Sequence, residues 1–162
     1  MTDAPDAGRR RSKFLVVVDD TPEVKVALRY AVHRARNVNG GVILLRVVTS
    51  AGFQQWMAVA ELMREEAREA AEKLLQDLAT QVQQESGIVP ELILREGETR
   101  DELLKLIDDD AHIRMLVLAA APGSGGPGPL VTELAGQKSG NLSVPITVVP
   151  GALSDAQIDE LT

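Results

Sequence analysis

Five short apolar runs, each bounded by turn-forming residues and separated by stretches with helical periodicity, constrain this chain more than any other feature. Phe14–Val18 ends in Asp19-Asp20-Thr21-Pro22, and Val42–Val48 follows Gly40-Gly41. Leu92–Leu94 follows Pro90, Met115–Ala119 precedes a Gly/Pro/Ser loop over 122–129, and Ile146–Val149 lies between Pro145 and Pro150. A continuous apolar run of this length fits a strand covered on both faces, the usual condition of parallel sheets. The stretches between them are helical. Val24, Ala27, Leu28 and Ala31 share one face, as do Ala67, Ala71, Leu74, Leu78 and Val82 in a helix over about 57–84. A third helix covers 100–107, and a short one runs from about Leu130 to Ser139. Strand–helix alternation requires crossover connections, so the sequence predicts an open, mainly parallel α/β sheet with helices on both faces.

Local signals set the element ends. Thr21-Pro22 reads as N-cap and first helical residue, and Thr99 with Glu102 as a capping box. Gly40-Gly41 and Gly87 read as helix stops. Ser154 with Gln157, followed by Ile158 and Leu161, predicts a short capped helix in the tail. The chain thus divides into a flexible basic leader over 1–12, a domain over 13–150 and a C-terminal tail over 151–162.

Composition excludes several chemistries. With no cysteine there is no disulfide, thiolate nucleophile or cysteine-ligated metal, and His33 and His112 alone are too few for a histidine-rich metal site. A net charge of −7 opposes general nucleic-acid binding, since the one basic cluster, Arg9, Arg10, Arg11 and Lys13, sits where the leader meets the domain. No apolar run approaches a membrane span and no secretory signal is visible, so the cytoplasm is the expected compartment. No nucleophile–base pair stands out, and a catalyst is not expected.

The segment Val16-Val17-Val18-Asp19-Asp20-Thr21-Pro22-Glu23, the strand Val42–Val47, the glycine-rich loop after Leu116-Val117-Leu118, and Val144-Pro145-Ile146-Thr147-Val148-Val149 together resemble the universal stress protein family. The likeness covers about residues 13–150, with Arg46 standing where many members have histidine. It implies a Rossmann-like, adenine-nucleotide-binding fold with sheet order 3-2-1-4-5, and often a homodimer. It also implies a stress-associated regulatory domain. Many members bind ATP through Gly-x2-Gly-x9-Gly-Ser/Thr after the fourth strand, and Mg would enter only with ATP.

Two registers of that motif stand. By spacing, Gly123-x2-Gly126-x9-Gly136 matches, but Gln137 replaces Ser or Thr. Counted back from Pro145 without gaps, the family's glycines fall on Ala119 and Pro122 and its last pair on Thr132-Glu133, which removes one N–H and adds a carboxylate. The ungapped register is the simpler one. The residues carried over as a nucleotide site are Asp19, Val47, Gly123, Ser124, Gly126, Gly136 and Gln137. The alternative is a nucleotide-free dimeric interaction module with an unidentified protein partner, pairing through the last strand. Phe53 and Trp56 are expected to seal one end of the sheet, and Asp108-Asp109-Asp110 to be a solvated helix end.

Overall fold

A computed structural model describes residues 11–49 and 57–162. Arg9, Arg10, Phe53 and Trp56 lie outside the described residues. Every apolar run becomes a strand. The element order is β1 (Lys13–Val17), α1 (Val24–Asn37), β2 (Gly41–Val48), α2 (Met57–Ser86), β3 (Glu91–Glu96), α3 (Thr99–Asp109), β4 (Ile113–Ala120), a π-helical segment (Val131–Gln137), a 3-10 turn (Ser139–Asn141), β5 (Ile146–Pro150) and α4 (Asp155–Leu161). All four pairings are parallel and the order is β3-β2-β1-β4-β5, as the resemblance implies.

The side-chain period of two divides each inner strand between two cores. Phe14, Val16, Val18, Val42 and Leu44 pack with Ala27, Leu28 and Ala31 of α1 and Leu75, Leu78 and Val82 of α2. Leu15, Val17, Ile43, Leu45 and Val47 face the other way, onto Leu103, Leu106 and Ile107 of α3 and onto Leu134. No buried residue among those described is polar, so burial of apolar surface at roughly 25 cal/mol per Å² supplies the cohesion.

Several helix ends differ from the sequence reading, each for a local reason. The first helix begins at Val24, not Pro22, because Thr21 donates both its N–H (2.9 Å) and its hydroxyl (2.5 Å) to Asp19 Oδ1. The turn holds the Thr21 hydroxyl against Asp19, and no side chain caps α1. At α3 neither Thr99 nor Glu102 caps. The Glu102 carboxylate lies instead 3.6 Å from Arg95 and 3.4 Å from Lys105. After α1 the left-handed residue is Asn39 (φ 52°), whereas Gly40 serves for close approach: a Cβ there would lie 2.5 Å from the Ser12 carbonyl oxygen. Leu75 joins the buried stripe of α2, to which the periodicity had assigned Leu74. The expected short helix near Leu130 is a π-helix, closed by Lys138 N–H donating to Glu133 O at 3.0 Å.

The tail behaves as read. Ser154 Oγ accepts from Gln157 N, and Gln157 Oε1 accepts from Ser154 N, a full capping box. Ile158 is fully buried, and Arg29 of α1 grips Asp159 with two bonds of 2.8 Å.

Candidate functional site

In an open parallel sheet the loops diverge where the strand order reverses, leaving a crevice beyond the carboxyl ends of the strands. Here β1 is followed outward by β2 and β3 on one side and by β4 and β5 on the other, so the reversal lies between β1 and β4. A cavity of about 990 Å³ opens there. Its floor is made by strand ends: Val17 and Val18 of the first, Arg46, Val47 and Val48 of the second, Leu118 and Ala119 of the fourth. One wall is apolar, from Val24, Ala27, Ala71 and Leu74. The other is Glu98-Thr99-Arg100 at the start of α3, with the segment Pro127–Val131 and Glu133.

Asp19 and Val47 meet in this cavity. Asp19 is exposed and orders its own turn through Thr21, while Val47 is buried in the core shared with α3. The remaining expected residues do not join them. Gly123, Ser124, Gly126, Gly136 and Gln137 are exposed and absent from the cavity lining. The part of the loop that does line it is Pro127-Gly128-Pro129. Ala119, where the ungapped register sets the family's first glycine, and Glu133 line it as well.

Two ion pairs frame the cavity. Arg46 reaches from β2 to Asp20 Oδ2 at 3.0 Å and to the Val18 carbonyl at 3.2 Å, tying the loop after β1 to its neighbour. Its Nε is buried without a partner among the described residues. Arg100 donates to Glu133 and, at 3.2 Å, to Asp101, with Glu98 3.6 Å away; Lys138 lies 3.3 Å from Glu133. The hydrogen bond from Arg100, joined by Lys138, holds the Glu133 carboxyl below its ordinary value, so it stays ionised at neutral pH. Glu133 in turn raises Arg100 further.

Sequence reasoning missed Arg100 and Glu98. The signal was present: they follow β3, and every parallel strand contributes its carboxyl-end loop to such a crevice. Away from the cavity, Asp110 is not simply solvated, since it binds Lys13 Nζ at 2.8 Å and accepts from His112 N–H at 2.9 Å. Among the described residues no three acidic or imidazole side chains gather as a metal site. No described helix is long and apolar enough to cross a membrane.

A model of the universal stress protein family matches residues 10–150 of the chain. No curated protein sequence matches it. Among solved structures, universal stress protein UspA from Lactobacillus plantarum superposes with a TM-score of 0.71 at 17% identity, over 86% of this chain and 98% of that one. A universal stress protein in complex with cAMP superposes at 0.61 and 14% identity, over 88% of this chain and 99% of that one. A protein of the same family from Arabidopsis thaliana with AMP bound does so at 0.58 and 16% identity, over 86% and 91%. At these identities the likeness to the solved structures is one of fold.

Proposed function

The chain belongs to the universal stress protein family, and from that premise we propose that it is a regulatory domain that takes an adenine nucleotide into the cavity above β1, β2 and β4. The observation that carries this is the cavity itself, of about 990 Å³, open at the switch point with one apolar wall and one polar wall. Its volume suits a nucleotide, and it joins apolar surface to charged groups that can orient one. Relatives of the same fold with cAMP and AMP bound support the choice of adenine.

Val48, Leu74 and Val131, which are only partly buried, offer apolar surface to a base, and the Asp19 carboxylate offers acceptors to a ribose hydroxyl or an exocyclic amine. Among the described residues no histidine, serine or cysteine lines the cavity, which supports binding over turnover as the role. The cavity's occupancy is reported to partners, for which the loops around it are the accessible surface.

The test is mass spectrometry of small molecules released from the purified protein, followed by calorimetric titration of the emptied protein with adenosine, AMP and ATP. Micromolar binding of at least one is expected. No heat up to millimolar concentration, with no nucleotide carried from the cell, would overturn the proposal.

A second reading is favoured by one observation. Gly123, Ser124 and Gly126 are exposed and stand off the cavity lining, which weakens the support for a phosphate cradle in the glycine loop. This reading is a nucleotide-free interaction module that dimerises through the edge strand β5.

A further inference from the structure

Among the described residues around the cavity, carboxylates outnumber cations. Asp19, Asp20, Glu23, Glu98 and Glu133 line it, against the guanidiniums of Arg46 and Arg100. Neither guanidinium is free. Arg46 is engaged by Asp20 at 3.0 Å, and Arg100 by Glu133 and Asp101, with Glu98 close by. To serve a phosphate, Arg100 would have to release Glu133, and the bared carboxylate would then face the incoming anion. Exchanging one anionic partner for another in this way gains nothing.

The backbone serves one phosphate at most: the free N–H groups at the start of α3, where Thr99 and Arg100 line the cavity, face it, but the loop after β4 adds little. Polyphosphates are held by runs of main-chain N–H groups, commonly on glycine-rich turns. The turn that lines this cavity is Pro127-Gly128-Pro129, and proline has no N–H, so Gly128 alone of the three has an amide to give. Thr132 N–H already donates to Gly128 O at 3.0 Å, and Ala121 N–H to Pro127 O at 3.1 Å. The amides of Gly123 to Gly126 belong to the exposed part of the loop, off the lining.

We infer that, given the adenine-nucleotide reading on which this rests, the cavity selects an adenosine compound with no more than one phosphate and rejects the triphosphate, with the Arg100–Glu133 pair setting the limit. The adenosine part is bound by apolar contact, which phosphate number does not alter. Each phosphate beyond the first must enter a field already negative, where like charges brought together without new partners lower affinity steeply.

The experiment is calorimetric titration with adenosine, AMP and ATP, the last with and without Mg, on the wild type, Glu133→Gln and Glu98→Gln. Circular dichroism melts establish that each variant is folded. Adenosine and AMP are expected to bind more tightly than ATP, by roughly tenfold or more. Glu133→Gln should recover several-fold of the ATP affinity and leave adenosine unchanged. The half-exposed Glu98 side chain, replaced in the same way, should give a smaller gain. Raising the salt should narrow the gap between AMP and ATP, as screening requires. ATP binding as tightly as AMP in the wild type, or an ATP affinity indifferent to both substitutions, overturns the inference while leaving the nucleotide reading intact. Binding of none of the three overturns that reading, and the inference with it.

Discussion

Lys13 and Asp110 show how a single contact can fasten two ends of the fold. Lys13 begins β1, and Asp110 follows α3; the pair closes at 2.8 Å with both side chains mostly covered, and Glu91 of β3 adds a second carboxylate at 2.9 Å. Burial opposes charge on both groups, yet their mutual bonds prevail: the Lys13 ammonium lies above its ordinary pKa and the Asp110 carboxyl below its own. A carboxyl depressed in the folded state stabilises fully above its unfolded value, about pH 3.9, and that contribution is lost as the pH falls through the folded value. The raised lysine contributes below about pH 10.4 and loses its share as the pH rises through its folded value. Asp110→Asn should therefore cost about 1 kcal/mol at neutral pH in urea unfolding, and the gap from wild type should close in acid. An equal gap at all pH values would mean that the charge of Asp110 is not what stabilises, since asparagine keeps an acceptor for His112 N–H.

At the scale of elements, the capping box of α4 carries a checkable consequence. Ser154→Ala removes the acceptor for Gln157 N–H and should lower the local stability of α4 by about 1 kcal/mol. Faster amide exchange confined to residues 155–161 would report it, whereas uniform loss across the sheet would mean that α4 unfolds only with the whole domain. The caps also mark what a sequence can disclose. Ser154–Gln157 was legible because nothing nearby competes for either side chain. Thr21 and Thr99–Glu102 carry the same letters, but Asp19 captures Thr21, and Arg95 with Lys105 captures Glu102. The strands were legible because two-sided burial writes unbroken apolar runs. The Arg100–Glu133 pair was not, since it joins residues 33 apart that only the fold brings together. Nor does glycine spacing disclose which few residues of a ten-residue loop turn inward: Gly128 and its flanking prolines do, Gly123 and Gly126 do not.

The whole molecule presents a crevice at the switch point and, at the sheet's edge, a strand with one described neighbour. In the observed order β5 has β4 on one side and no described strand on the other, with Val148 exposed and no charged side chain to blunt pairing. Pro145 and Pro150 bound the strand and limit it to one defined contact. A homodimer through Ile146–Val149 is the expected assembly, and Val148→Lys should give a monomer in light scattering. An unchanged dimer would move the contact elsewhere.

The adenine-nucleotide cavity is the central claim, and amide chemical-shift mapping with AMP tests it most directly. On titration, the shifts should gather at residues 18–21, 46–49, 98–100, 118–119 and 128–133, the strand-end loops that line the cavity, while Gly123 to Gly126 move little. No perturbation at saturating AMP, or shifts centred on the far groove between α1 and α2 around Lys25, Arg36 and Glu85, would contradict it.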